Sequence, residues 1–125
     1  MHRLSIKRVY DAPATTDGVR VLVDRLWPRG LSKEQARIDH WLKEIAPSNQ
    51  LRKWYNHDES RWEEFKHRYF DELRDQDEPV IQLQTLINAQ SVTLLYAANS
   101  ETHNNAVALA EFLREMSGVA LQRQI

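Results

Sequence analysis

The sequence predicts an α/β fold, in which helices surround a small, at least partly parallel sheet in one compact domain spanning residues 1–125. A length of 125 residues is typical of one domain with one hydrophobic core. Residues 91–98, SVTLLYAA, form a nearly continuous apolar run of strand length, which indicates a central strand covered on both faces. A long helical region separates this run from a predicted strand at 19–24, so we expect these two strands to be parallel.

The other strand assignments depend on the alternation of apolar and polar residues. Residues 3–10 place Leu4 and Ile6 between polar and charged neighbours, which is typical of a strand. In residues 19–24, three valines share one face and Leu22 lies on the other, so both faces of this strand are expected to be covered. The predicted sheet therefore includes the strands 3–10, 19–24 and 91–98, in an order that the sequence does not determine.

The helices follow from apolar residues at helical spacing. The longest is predicted over 59–74, where Asp58 can cap the start and the core-facing stripe is Trp62, Phe65, Tyr69 and Leu73. Shorter helical segments are predicted at 32–36, 41–45, 49–55, 79–87 and 106–113, the last of them ending near Gly118.

Composition excludes several classes of protein. The chain has no cysteine, which excludes disulfide scaffolds, thiol catalysis and cysteine-ligated metal sites. No stretch approaches the ~18 apolar residues of a membrane span, and the first residues lack the apolar segment of a signal peptide. We therefore expect a cytoplasmic protein that does not enter the membrane.

The net charge of −1 conceals an uneven distribution of charged residues. Residues 1–70 hold 14 Lys and Arg against 10 Asp and Glu, whereas residues 71–125 hold 3 against 8. The basic half could present a face for phosphate-bearing ligands, or the two halves could attract each other within one domain. The second interpretation is favoured, because the sequence alone does not place the basic residues together.

Common catalytic motifs are absent from the sequence. The chain has no glycine-rich phosphate loop, His-Glu-x-x-His pair, nucleophile elbow or EF-hand loop. We therefore predict no metal site and disfavour nucleoside triphosphate hydrolysis. The sequence indicates no particular cofactor.

The first candidate site is the segment VLVDRLWPRGLS, residues 21–32. Pro28 fixes one backbone angle and Gly30 allows a turn that other residues resist, so the loop is expected to be rigid. Arg25 and Arg29 could then present planar, charged donors to a phosphate or a carboxylate. The alternative, at about even odds, is that these arginines pair with Asp24 or other carboxylates and only stabilise the loop.

The second candidate is LLYAANSETHNNAVAL, residues 94–109, in which a buried strand leads into a helix. Free backbone N–H groups and the helix dipole favour anions at such a junction. The polar residues there are Asn99, Ser100, Thr102, His103 and Asn104. The alternative is plain helix capping by Ser100 or Thr102, with Asn104 exposed to solvent, and Thr102 is more simply interpreted as such a cap. His103 could donate to an anion or act as an acid or base near neutral pH.

The third candidate is RKWYNHD, residues 52–58. Adjacent His57 and Asp58 occur in some metal-dependent phosphohydrolases, but a single dipeptide is a weak signal and Asp58 is better interpreted as a cap. Trp54 and Tyr55 could stack on a nucleic-acid base, although aromatic residues in such positions more often seal the core.

Three segments, VLVDRLWPRGLS, IDHWLKEIAPSNQLRKWYNHD and VTLLYAANSETHNNAVAL, together resemble the YeaO-like branch of a bacterial family known as domain of unknown function 488. The similarity extends from about Lys7 to Phe112. It implies a compact, stand-alone cytoplasmic α/β domain but brings no established reaction or substrate. Where the family pattern often continues His-Asp-Pro, this chain has Glu59, which leaves capping by Asp58 intact. The matching positions are Asp24, Arg25, Trp27, Pro28, Arg29, Gly30, Trp41, Pro47, Ser48, Trp54, His57, Asp58, Tyr96, His103 and Asn104.

The predicted function is the binding of a small anionic ligand, such as a nucleotide or a phosphorylated metabolite, in a cleft between residues 24–30 and 99–104. Ligands of open α/β sheets collect at the carboxyl ends of the strands, where both segments should lie. Arg25 and Arg29 would bind the charge and Trp27 would pack or stack. The first-turn amides of the helix would complete the site together with Asn99, Ser100 and Asn104.

Two alternatives belong to other classes of function. The first is a hydrolase or transferase that uses the same cleft, with His103 as acid or base oriented by Asp24 or Glu101. The second is a nucleic-acid or protein interaction module built on the basic half of the chain. The near-neutral net charge argues against tight, sequence-independent binding of nucleic acid.

Overall fold

The computed structural model describes residues 2–124, with side chains described for residues 2–116. Its strands are β1 (Leu4–Arg8), β2 (Val19–Leu22), β3 (His40–Trp41) and β4 (Val92–Tyr96). Its α-helices are α1 (Lys33–Ala36), α2 (Asn49–Tyr55), α3 (Trp62–Arg74), α4 (Asp77–Ala89) and α5 (Asn105–Gln124). Short 3-10 helices cover Thr15–Asp17, Lys43–Ile45 and Glu59–Arg61. None of the helices in the described part of the chain has the length and apolar character needed to cross a membrane.

The four strands form one parallel sheet in the order β1-β4-β2-β3. Val92 pairs with Leu4 of β1 on one side and with Val19 of β2 on the other. Every residue of β4 is buried, as expected for a central strand with neighbours on both sides and layers above and below. The prediction of an α/β fold with a parallel pair formed by 19–24 and 91–98 is confirmed.

The larger hydrophobic core lies on the sheet face that α2, α3, α4 and α5 cover. Val21 and Leu94 extend into it from the two inner strands. The aromatic stripe of α3 packs against the same core, and Tyr69 is fully buried there. The apolar stripe predicted from helical spacing therefore holds α3 against the sheet.

A smaller core lies on the opposite face. Its buried residues are Leu22 of β2, Leu95 of β4 and Val9, which directly follows β1. The connection between β2 and β3 covers this face, with Trp27 and Leu31 packed against the core.

A buried ion-pair network lies near the amino-terminal end of the sheet. Arg20 donates from Nη1 to Oδ2 of Asp17 at 2.6 Å, and Lys7 donates from Nζ to the same carboxylate at 3.2 Å. Arg20 also donates to the main-chain oxygens of Ala36 and Arg37 at 2.8 and 3.1 Å. Asp17 and Arg20 are 9% and 4% exposed, so each charge depends on its partners rather than on water.

Gly18 brings the chain from this network into β2. Its backbone adopts a φ of 67° and passes close to Ser91, which accepts a hydrogen bond from the Val19 amide at 3.0 Å. The positive φ is one that residues with a Cβ rarely adopt. The close passage therefore requires glycine.

Two boundary predictions are wrong. Residues 41–45 were expected to be helical, but His40–Trp41 forms the edge strand β3, and only Lys43–Ile45 makes a 3-10 turn. Pairing with β2, including the Leu42 amide bonded to Leu22 O at 3.0 Å, overrides the local periodicity. Helix α5 also continues past Gly118, since one glycine costs a helix only about 1 kcal/mol relative to alanine.

Candidate functional site

Asp24 lies where the carboxyl ends of β2 and β4 meet. One carboxylate oxygen accepts a hydrogen bond from the Ala97 amide at 2.9 Å, and the other accepts from Nδ2 of Asn105 at 3.0 Å. The same Asn105 nitrogen donates to Val23 O at 3.0 Å. Asp24 therefore joins the ends of two strands to the start of α5, at the edge where ligands of open α/β sheets bind.

The environment of Asp24 disfavours its charge. Burial raises its pKa above the usual 3.8, although hydrogen bonds from Asn105 and Ala97 and the positive charge of Arg52 oppose the rise. Desolvation is thus the dominant influence on this carboxyl. The prediction that Asp24 orients His103 has no support among the described hydrogen bonds of the Asp24 carboxylate, which come from Ala97 and Asn105.

The raised pKa predicts a pH-dependent effect of Asp24→Asn. The contribution of Asp24 to folding stability is complete below its unfolded pKa and is lost as the pH rises through the higher folded pKa, because the folded state holds the proton more tightly. The asparagine does not titrate, so its free energy of unfolding should rise relative to wild type over this window. Urea unfolding at a series of pH values from acidic to neutral measures the difference. If the free energy of unfolding of Asp24→Asn minus that of wild type stays constant or falls as the pH rises, the raised pKa of Asp24 is contradicted.

The turn before α5 is held by its own polar side chains. Asn104 is buried, accepts a hydrogen bond on Oδ1 from the Val107 amide at 2.9 Å, and donates from Nδ2 to Ser100 O at 2.9 Å. Ser100 Oγ accepts from the His103 amide at 3.0 Å. Asn104 is therefore the helix cap. The expectations that Thr102 caps the helix and that Asn104 is exposed are wrong, because α5 begins only at Asn105 and the buried Asn104 occupies the position before it.

His103 lies beside Trp62, with the ring centroids 4.9 Å apart in an edge-to-face arrangement. Its Nδ1 is 2.8 Å from Thr102 Oγ1 and 3.7 Å from Glu59 Oε1. The carboxylate nearest to the imidazole is thus Glu59, whereas the sequence suggested Asp24 or Glu101. Sequence analysis missed this contact, because Glu59 and His103 are 44 positions apart and share no motif.

Arg25 turns toward the segment that precedes α2. Its Nη2 donates to the main-chain oxygens of Ala46 and Pro47 at 3.2 and 3.4 Å. Its Nε is buried and has no hydrogen-bond partner among the described residues. No ion pair joins Arg25 to Asp24 in this part of the chain, so the suggested pairing of these neighbours does not account for the arginine.

Arg25 lines a cavity of about 200 Å³. Ser48 and Glu72 form a polar pair in its wall, since Glu72 accepts from the Ser48 amide at 2.9 Å and from Ser48 Oγ at 2.6 Å. Tyr69 donates to Ile45 O at 2.7 Å, and burial raises the pKa of its hydroxyl. The cavity is lined by Arg25, Ile45, Ala46, Ser48, Tyr69, Glu72, Leu73 and Gln76. Sequence analysis missed Glu72, although its place beside Leu73 of the core stripe put it at the margin of the buried face.

The remaining predicted ligand-binding residues lie apart from this cavity. Trp27 packs in the smaller core, donates from Nε1 to Leu31 O at 2.7 Å, and meets Trp41 edge-on with centroids 5.5 Å apart. Arg29 is exposed, and its main-chain oxygen accepts from the Tyr10 hydroxyl at 2.9 Å.

Asn99 is exposed beside an arginine that the sequence did not single out. Its Oδ1 accepts a hydrogen bond from Arg8 Nη2 at 3.0 Å, while Arg8 Nε donates to Ala98 O at 3.0 Å. The structure thus brings Asp24 together with the start of α5. It directs Arg25 elsewhere, toward the main chain of Ala46 and Pro47 before α2.

The third candidate segment has a structural explanation. Asp58 accepts from the Ser60 amide at 3.0 Å and caps the 3-10 helix that leads into α3, as the capping interpretation expected. His57 is exposed, with a φ of 55°. Trp54 lies under two guanidinium groups, those of Arg61 and Arg68, at 5.3 and 4.2 Å from its ring centroid.

Residues 3–122 match the protein family described as the inactive DUF488-N3 subclade. This chain belongs to that subclade. The resemblance read from the three sequence segments is therefore confirmed.

Relatives of this DUF488-N3 chain span nearly its whole length. It is 41% identical over 113 residues to "Uncharacterized protein YeaO" of Escherichia coli, covering 90% of this chain and 98% of the relative. It is 40% identical over 111 residues to "Uncharacterized protein Rv3073c" of Mycobacterium tuberculosis, covering 89% of this chain and 93% of the relative. No solved structure matches the chain.

Proposed function

We propose that this protein binds a small anionic ligand at the carboxyl edge of its sheet, with Arg25 as the group that holds the charge. The observation that carries the proposal is the Arg25 guanidinium, which lines a cavity of about 200 Å³ and whose described hydrogen bonds are only the two from Nη2 to main-chain oxygens. A guanidinium has about five N–H donors, and a carboxylate or phosphate oxygen in the cavity would accept from those that the main chain leaves unused.

Burial raises the pKa of the Tyr69 hydroxyl in the cavity wall, and the charges of Glu72 and Asp24 raise it further. The charge of Arg25 lowers this pKa. Charges of both signs therefore act at the cavity, and Arg25 supplies the positive one.

Arg52 is close enough to Asp24 to lower its pKa by charge, so a second guanidinium acts on the same region. Helix α5 begins beside Asp24, so the positive end of its dipole acts at Asp24 rather than at the residues that line the cavity. Arg29 contributes an exposed positive charge on the same loop.

The other predicted residues act mainly by ordering the site. Ser100 and Asn104 hold the turn before α5 through the hydrogen bonds described above, and Trp27 anchors the loop that carries both arginines. Asn99 extends toward solvent beside Arg8. In this proposal a rigid frame positions the charges before the ligand arrives, which lowers the entropic cost of binding.

A thermal-shift titration with inorganic phosphate, acetate and a nucleoside monophosphate tests the proposal. At least one of these anions should raise the unfolding temperature of wild type. At a concentration of 100 times Kd, the bound anion should increase the free energy of unfolding by about 2.7 kcal/mol. The gain should vanish in Arg25→Ala and in the Arg25→Ala, Arg29→Ala double variant, because the principal anion donor is gone.

The matched control is Arg74→Ala. Arg74 is exposed and pairs with Asp71 on the surface of α3, so this variant should keep the full ligand response. If Arg25→Ala only loses stability without ligand, and no anion shifts wild type, Arg25 is a structural residue and the proposal fails.

An enzymatic role has one observation in its favour. His103 lies between Thr102 and Glu59, at 2.8 and 3.7 Å from their side-chain oxygens, an arrangement that can orient an imidazole for acid or base chemistry. The description of the matching subclade as inactive argues against it. We therefore place binding ahead of a hydrolase or transferase activity.

A further inference from the structure

The cavity that Arg25 lines also contains a negative charge. Glu72 accepts two hydrogen bonds, one on each carboxylate oxygen, and both come from Ser48. A carboxylate has about four acceptor sites, so roughly half of its capacity is unused. No ion pair joins Glu72 to Arg25 among the described residues, although both line the cavity.

Arg25 has the complementary excess of donors. A guanidinium carries about five N–H donors, and the described bonds of Arg25 are the two long ones from Nη2 to main-chain oxygens. The cavity therefore offers unused donors on one lining residue and unused acceptor sites on another. A ligand that satisfies both carries an anionic group and a hydrogen-bond donor, and an ammonium is the donor that binds a carboxylate most strongly.

The size of the cavity restricts that ligand further. A cavity of about 150 Å³ in another protein binds benzene, so about 200 Å³ has room for roughly eight non-hydrogen atoms. A mononucleotide is far larger than that. Ile45 and Leu73 border the cavity but are 0% and 2% exposed, so the walls offer little apolar surface and the ligand is restricted by size.

We infer that the ligand of this cavity is a free α-amino acid with a small side chain, an inference that rests on the proposed anion-binding role of Arg25. The α-carboxylate accepts hydrogen bonds from Arg25, and the α-ammonium donates to Glu72. Gln76 is exposed at the margin of the cavity and marks the side from which the amino acid enters.

Isothermal titration with matched compounds tests this inference on the full chain. The compounds are L-valine, 3-methylbutanoate, which is the same skeleton without the amino group, and isobutylamine, which lacks the carboxylate. Wild type should bind L-valine at least tenfold more tightly than either fragment, because only the amino acid meets both charged groups. The same comparison is made for L-alanine and propanoate, so that a poor fit of one side chain does not decide the result.

Two variants on α3 assign the preference to Glu72. In Glu72→Gln the tenfold preference for the amino acid over the deaminated acid should disappear, while 3-methylbutanoate binds at least as well as before. The control Glu64→Gln alters an exposed glutamate that pairs with Arg68 on the same helix, and it should keep the preference. If Glu72→Gln does not fold, the comparison of the matched compounds on wild type still shows whether the cavity prefers an amino acid to a compound with only one of its charged groups.

The outcomes separate this inference from the function on which it rests. If 3-methylbutanoate, propanoate or inorganic phosphate binds wild type through Arg25 as tightly as the amino acids do, the inference is wrong and the proposed anion site stands. Retention of the amino-acid preference in Glu72→Gln also overturns it. If no anion of either panel binds in an Arg25-dependent manner, both proposals fall.

Discussion

Asp17→Asn is expected to lower the free energy of unfolding by about 3–5 kcal/mol, because removing one member of a buried ion pair leaves the other charge uncompensated. Arg20, whose side chain is 5% exposed, loses the carboxylate that lies 2.6 Å from its Nη1. Lys7 loses the same partner. Urea-induced unfolding at neutral pH measures the change.

The pH dependence of this effect has a defined sign. Burial raises the pKa of Asp17, but the Ala14 amide, Lys7 and Arg20 together outweigh burial and bring the pKa below its usual 3.8. The stability that Asp17 contributes is therefore present above its unfolded pKa and is lost as the pH falls through the lower folded pKa. Wild type should lose its advantage over Asp17→Asn in acid.

Asp71→Asn is the matched control for Asp17→Asn. Asp71 pairs with Arg74 at 2.8 Å, but its side chain is 76% exposed, so the loss should stay below about 0.5 kcal/mol. Similar losses in the free energy of unfolding for the two variants would mean that burial does not determine how much the Asp17 ion pairs stabilise the fold.

Gly18→Ala is expected to cost about 3 kcal/mol or more, since strained backbone alone costs about 1–3 kcal/mol and a steric overlap adds to it. A Cβ on Gly18 would lie 2.4 Å from the Ser91 oxygen and 2.9 Å from the Ser91 carbon. Both are main-chain atoms beside β4, so the chain cannot relieve the overlap without moving the strand. The shift in urea midpoint relative to wild type measures the cost.

Gly30→Ala separates the two contributions. Gly30 also has a positive φ, 82°, but no atom lies within 4 Å of the Cβ position, so only the conformational cost of about 1–2 kcal/mol remains. Equal losses at the two glycines would show that contact with Ser91 does not constrain position 18.

The fold was predictable where a local pattern reflects the tertiary environment. The apolar run at 91–98 could only be buried on both faces, and the aromatic spacing of α3 left one face for the core. The edge strand β3 was not predictable, because its two residues carry no period. Their conformation comes from pairing with β2, a contact outside any local window.

The candidate site was predictable only in part for the same reason. The parallel sheet places Asp24 near the start of α5, as strand direction required. The direction of Arg25 depends on main-chain oxygens at Ala46 and Pro47, more than twenty positions away. Glu72 meets Ser48 across a similar separation, and no motif connects them.

The central position of β4 has a consequence for how the chain acquires its structure. β1 and β2 are not neighbours, and each reaches the other only through β4, which pairs Leu4 with Val92. During synthesis, the edges of β1 and β2 that pair with β4 therefore stay unpaired until most of the chain has been made. Pairing over such separations is slow, and incomplete chains that expose apolar strands are prone to aggregate. We expect the nascent chain to depend on chaperones until β4 emerges, and the sheet to assemble in one late step.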